Sequence, residues 1–260
     1  MSPIHILGHV SQGLHARSVT VLGSLESRLP SIVILWLVLA ALASAARIVR
    51  SPLTPSIDVH SVLPYVLVVL APAASLVLAL RWFDRGHLLP QPHTRLALAG
   101  RWRAVGLAEA ARHPLYGTTG IMVSLLIGML LNAPVRAAEY FATMPAISAE
   151  VPEWLSVLHL LMTADVVILS SLYVICFVAA LRRVPLFPLM LVAVWSIDLA
   201  MLLVIAQGAA SAGLPEPVGS SLNALLNGNI KKVLISVGLW LPYLMLSTRV
   251  NVTYRHRVPA

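Results

Sequence analysis

Six long apolar blocks, separated by short stretches in which the arginines collect, make up most of this chain. Measured against the ~20-residue helical crossing that a bilayer requires, they run from about Ser31 to Val49, Ser61 to Arg81 and Gly117 to Ala138. The other three run from about Leu155 to Leu181, Leu186 to Gln207 and Val233 to Leu246. Trp82, Tyr116, Tyr140 and Trp154 fall near block ends, at the headgroup level that suits amphipathic rings. The pattern predicts an all-α, polytopic bundle of six transmembrane helices.

Composition agrees, with 58% hydrophobic residues, 11% charged residues and a mean hydropathy of +0.87. A soluble domain carries roughly 45–50% apolar and about 25% charged residues. The 18 Lys and Arg residues form no single basic patch, so nucleic acid is not an expected partner. They orient the chain instead. With the N-terminus inside, 13 face the cytoplasm and 5 (Arg47, Arg50, Arg136, Lys231 and Lys232) face out. Both termini are therefore expected in the cytoplasm. Ala43-Ser44-Ala45 resembles a signal-peptidase site, but the polar lead of roughly 30 residues favours an uncleaved first helix.

The expected organisation is a cytoplasmic segment at 1–30, a two-helix membrane extension at 31–82 and a basic cytoplasmic loop at 83–116. A four-helix membrane unit at 117–247 and a basic cytoplasmic tail at 248–260 follow. Within the basic loop, Arg95, Arg101, Trp102, Arg103 and Arg112 alternate with Leu and Ala from 94 to 112. This suits one amphipathic helix on an anionic leaflet or a docking surface for a partner. The stretch from Gly208 to Asn229 is rich in Gly, Ser, Pro and Asn and reads as an irregular outer loop.

Two acids lie inside the apolar blocks, Asp165 in the fourth and Asp198 in the fifth. An acid at a helix centre costs on the order of 2.5–3.5 kcal/mol on insertion scales, so each should face the bundle interior and have a partner. No cation is expected at their depth. Lys231, Lys232 and the hydroxyls of Ser170, Ser171, Ser196 and Tyr173 are the nearest candidates. At least one aspartate should then be neutral. Hydrogen-bonded glue between helices, a proton-coupling site and docking to another subunit's charge all fit.

The last block closes on Trp240-Leu241-Pro242-Tyr243, then Ser247-Thr248-Arg249-Val250 and Thr253-Tyr254. Pro242 interrupts the helix hydrogen bonding, Ser247 can take up a freed carbonyl, and Arg249 anchors the end on lipid phosphate and the helix dipole. With Leu181-Arg182-Arg183-Val184-Pro185-Leu186-Phe187-Pro188 and Asn229-Ile230-Lys231-Lys232, this string resembles the YdgK-like family of small bacterial inner-membrane proteins. The resemblance covers residues about 115–255. It implies a four-helix unit in the bacterial cytoplasmic membrane and no substrate.

Three further patterns bear on chemistry. Arg112-His113-Pro114-Leu115-Tyr116 resembles the string with which membrane methyltransferases bind S-adenosylmethionine. The paired glutamates expected downstream are missing, Glu139 stands alone, and Pro114 also suits the first position of a helix. His60 and His159 fall at outer helix ends and are candidate haem ligands, although the small residues needed to admit the ring are not evident. His5, His9 and His15 include an i,i+4 pair compatible with a metal, with no fourth ligand. The lone Cys176 excludes an intrachain disulfide and a cysteine-built metal site. No cofactor or metal is expected. The leading expectation is a non-catalytic accessory, assembly or interaction subunit, with other membrane subunits and the bilayer as partners. A small proton-linked transporter using Asp165 and Asp198 comes second, and the methyltransferase third.

Overall fold

The computed structural model describes residues 3–53, 58–94, 96 and 100–260, with side chains from Arg17 onward. The helices are α1 (Pro3–Val49), α2 (Val59–Trp82), α3 (Leu107–Arg112), α4 (Met122–Thr143), α5 (Glu153–Leu181), α6 (Phe187–Ser211), α7 (Glu216–Leu246) and α8 (Thr248–Arg255). Two short strands, β1 (Trp102–Ala104) and β2 (Arg257–Pro259), complete the fold. Six helices (α1, α2, α4, α5, α6 and α7) are long and apolar enough to cross a membrane. The chain is a multi-pass, all-α membrane protein. Helices are the form such a chain takes because each pairs its own backbone groups where no water can.

At its start, α2 is held by Asp58, whose Oδ1 accepts from the Ser61 amide at 2.8 Å while the Ser61 hydroxyl accepts from the Asp58 amide. This reciprocal cap holds the half-buried Asp58 carboxyl below its ordinary value, mainly through the Ser61 amide. At the α5–α6 turn, Val184 N–H donates to Ala179 and Arg183 N–H to Ala180, with Arg183 at φ +55°. This is the six-residue helix stop usually built on glycine.

The bundle is organised around α5, which packs against α2, α4 and α6. In its most apolar stretch 67% of residues are buried, against 11% in α1 and α7, so α5 is central and those two are peripheral. Buried apolar side chains form two clusters. One, containing Leu126, Phe177, Phe187 and Leu244, lies toward the face that carries α8. The other, containing Tyr65, Tyr140, Met162 and Ile205, lies toward the far face.

The α8 face is closed by folded protein where a free basic tail is expected. The α8 residues from Val250 to Arg255 are all buried. The Tyr254 ring packs at a tilt against Phe187, centroids 5.0 Å apart, and its hydroxyl donates to the Ala180 carbonyl at 2.9 Å. Burial holds that phenol well above its ordinary value. Arg255 donates to the carbonyls of Leu244 and Leu96. Arg249 donates to Thr119 Oγ1 at 2.7 Å, so its partner here is protein. Thr253 Oγ1 and Ser18 Oγ accept from the Gly117 and Gly120 amides, which ties the α1 side of this face to α8. After α8, His256 takes a left-handed conformation, and β2 pairs antiparallel with β1, Arg103 opposite Val258.

Three further expected elements differ. The single helix over 94–112 is replaced by β1 and the six-residue α3, and Gly100 at φ +93° turns the chain before β1. Arg95 lies outside the described residues. The irregular loop expected from Gly208 to Asn229 is mostly helix, because α7 begins at Glu216; its small residues sit on a helix that exposes most of its surface. Pro114 is not at a helix start, since α4 begins at Met122.

The closing face makes a separable contribution. Tyr254→Ala should cost about 3–5 kcal/mol, as deletion of a fully buried ring does, and Tyr254→Phe about 1 kcal/mol for one hydrogen bond. Reversible denaturant unfolding in mixed micelles reads both. Wild-type stability in Tyr254→Ala would show that the tail is an appendage.

Candidate functional site

Between the two apolar clusters lies a charged layer, built by one residue from each of three neighbouring helices. Arg136 on α4 donates from Nη1 to Asp165 Oδ2 on α5 at 2.8 Å. From Nη2 it donates to both carboxylate oxygens of Asp198 on α6, at 2.5 Å each. Its Nε donates to Asn132 Oδ1 at 3.0 Å. Tyr173 on α5 donates its hydroxyl to Asp198 Oδ2 at 2.8 Å, and its ring lies 6.0 Å from the guanidinium. Side-chain exposure is 10% for Arg136, 7% for Asp165 and 0% for Asp198. All three charges are shielded by protein.

This corrects the expectation that no cation reaches the depth of the aspartates. Arg136 stands seven residues before the end of α4, about 10 Å from it at 1.5 Å per residue, and by position alone belongs to the outer edge. Two effects carry its charge inward. Side chains lean toward the N-terminus of their helix, which for α4 is the deeper direction, and the arginine stem is long. Asn132, one turn back, receives Nε and fixes the approach. The sequence signal was the i,i+4 pair Asn132 and Arg136, both polar on one face of an apolar block.

The layer is not charge-neutral. Two carboxylates and one guanidinium sum to one uncompensated negative charge when all are ionised. Both oxygens of Asp198 and Oδ2 of Asp165 receive donors, whereas Asp165 Oδ1 is buried without a hydrogen-bond partner among the described residues. Beside the cluster is a cavity of about 70 Å³, lined by Arg136, Asp198, Tyr173, Asn229, Glu139 and Lys232, among others. That is room for about two waters at ~30 Å³ each. At its rim Lys232 Nζ pairs with Glu139 and donates to Asn229. Lys232 thus serves Glu139 and not the aspartates. Toward the α8 face α5 continues as Cys176 to Ala180, all fully buried and without a charged side chain.

A second polar group lies one turn beyond Arg136 toward the far face. Tyr140 Oη is within hydrogen-bond distance of Thr163 Oγ1 at 2.8 Å and His159 Nε2 at 3.2 Å. A protein partner therefore occupies Nε2 of the haem candidate His159, while His60 stands exposed at the start of α2. The side chains of His5, His9 and His15 lie outside the described residues. Ser196 bonds the Val192 carbonyl. Ser170 Oγ is buried and unpartnered among the described residues. In the Arg112–Tyr116 string, His113 Nδ1 accepts from the Leu115 amide and Tyr116 lies under Arg183 at 5.3 Å, so both rings serve the turn. Of the closing string, Trp240 and Tyr243 meet edge to face. Pro242 lies within α7, and Ser247 is the junction residue between α7 and α8.

Comparison of the chain with protein-family models, with curated proteins and with solved structures finds no match.

Removing the arginine should expose the energetics of the layer. Arg136→Gln leaves two unpaired buried acids and should cost about 3–5 kcal/mol. Adding Asp165→Asn and Asp198→Asn should recover much of that loss, since the charges that needed compensation are gone. A double- and triple-mutant unfolding cycle measures it. Strict additivity would mean that the three side chains do not act as a unit.

Proposed function

We propose that the protein is a small proton-linked transporter of the bacterial cytoplasmic membrane, with both termini inside and the Arg136–Asp165–Asp198 cluster as its coupling site. The observation that carries this reading is the charge imbalance. A buried layer with one excess negative charge is expensive and is relieved by binding one proton. Asp165 Oδ1, the carboxylate oxygen without a donor, is where that proton sits in the arrangement described. Asp198 lines the water-sized cavity, so it is the group that exchanges protons with the outer side.

One guanidinium held by two carboxylates is also a two-position device. A proton delivered through the cavity to Asp198, as Asp165 releases its own to the other side, leaves Arg136 paired with Asp165 alone. Transfer of the proton from Asp198 to Asp165 restores the shared arrangement. Each position is charge-balanced by one proton, and the shift of Arg136 pulls on α4, α5 and α6 together. The dry block from Cys176 to Ala180 closes the cytoplasmic side. In this arrangement the cavity admits protons and water-sized species only.

A second reading, an accessory subunit of a membrane complex, is favoured by α7, which leaves Leu234, Ile235 and Leu239 exposed. A neighbouring subunit's helix covers such a face as well as lipid does. Purified protein in proteoliposomes separates the two readings. Under an imposed pH gradient and a clamped potential, the wild type should collapse the gradient at a measurable rate. Asp165→Asn and Asp198→Asn should each fall to the rate of protein-free vesicles. Wild-type rates in both Asn variants would remove the coupling role. No flux from the wild type, with comigration in a larger native complex, would establish the accessory reading.

A further inference from the structure

A cavity lies on the opposite side of α4 from the charged cluster. It is an apolar groove of about 550 Å³ between α1 and α4, floored by α2. Ala40, Ala73 and Ala137 form its buried floor. Leu35, Leu39 and Leu131 line it yet are more than half exposed, so it opens at the molecular surface. Trp36 is fixed in the wall by donating Nε1 to the Val69 carbonyl at 2.9 Å. Along α1 the lining runs from Leu25 to Ala43, about 27 Å at 1.5 Å per residue. That is close to the ~30 Å of a bilayer's hydrocarbon region.

An apolar concavity that faces the bilayer is filled by hydrocarbon, and the charge at its end says whose. On α1 the stripe Leu25, Ile32, Trp36, Leu39 and Ala43 keeps one helical face, and Arg28 falls in that same stripe, one turn from Leu25. Arg28 is exposed and forms no ion pair among the described residues. Glu26, two residues away, points off the stripe. A guanidinium beside a hydrocarbon slot, one turn from its Leu25 end, matches a phosphate at headgroup depth, which it can take in bidentate fashion. We propose that this groove is a binding site for one anionic membrane phospholipid, with an acyl chain lying between α1 and α4 and its phosphate on Arg28. The site is independent of the proton chemistry across α4, and it completes the packing of α4 on the side away from Asp165 and Asp198.

The test uses the full-length protein in detergent and native mass spectrometry. Phosphatidylglycerol and phosphatidylcholine with the same chains are titrated separately. One phosphatidylglycerol should bind per chain, about tenfold more tightly than phosphatidylcholine, the equivalent of about 1.4 kcal/mol. Arg28→Gln should erase that preference while leaving phosphatidylcholine binding unchanged. Ala138→Phe, at an exposed position on the groove wall, should weaken both lipids without disturbing the buried floor. Equal binding of the two lipids by the wild type would overturn the headgroup assignment. Undiminished binding by Ala138→Phe would overturn the groove.

Discussion

A single guanidinium shared by two buried carboxylates sets the terms for the rest of this molecule. Arg136 can lie in the middle of the bundle only because Asp165 and Asp198 meet it there, and neither acid has another cation within reach among the described residues. Each partner comes from a different helix, so the network fixes the relative rotation and depth of α4, α5 and α6. Apolar side chains leave such rotations loosely specified in lipid, where no hydrophobic difference drives one helix against another. The two apolar clusters then have defined places above and below the layer.

The same constraint links structure to the proposed chemistry. A neutral pair would serve as a fastener and nothing more. Three charges summing to one excess negative ask for a proton or another cation. The water-sized cavity beside Asp198 and Arg136 gives the layer a polar approach from one side. On the other side lie the densely buried end of α5 and the cap formed by α8, β1 and β2. That asymmetry suits a transporter better than a fastener.

Much of this was legible in the sequence, and the remainder is physically instructive. Length and hydropathy identify the six crossings because a bilayer fixes the span of a helix. The cost of buried charge singles out Asp165 and Asp198. Arg136 was missed because hydropathy assigns depth by position along the chain, whereas a long side chain leaning along its helix carries its charge more than a turn from its own Cα. The buried closing helix was missed for a different reason. Arg249, Arg255 and Arg257 look like a solvated basic tail, and only tertiary partners such as the Leu244 and Leu96 carbonyls make Arg255 a buried residue. Glycine, serine and asparagine between Gly208 and Asn229 suggest irregular chain, yet small polar residues also sit comfortably on a helix that packs little of its surface.

The charge state of the layer is the quantity on which the account stands. Difference infrared spectroscopy of the membrane-embedded protein detects a protonated carboxylic acid by its carbonyl stretch, separately from ionised carboxylates. At neutral pH the wild type should show one such buried acid, shielded from rapid deuterium exchange, and Asp165→Asn should abolish the band. A spectrum with only ionised carboxylates at neutral pH, unchanged in Asp165→Asn, would contradict the claim that this layer keeps a proton.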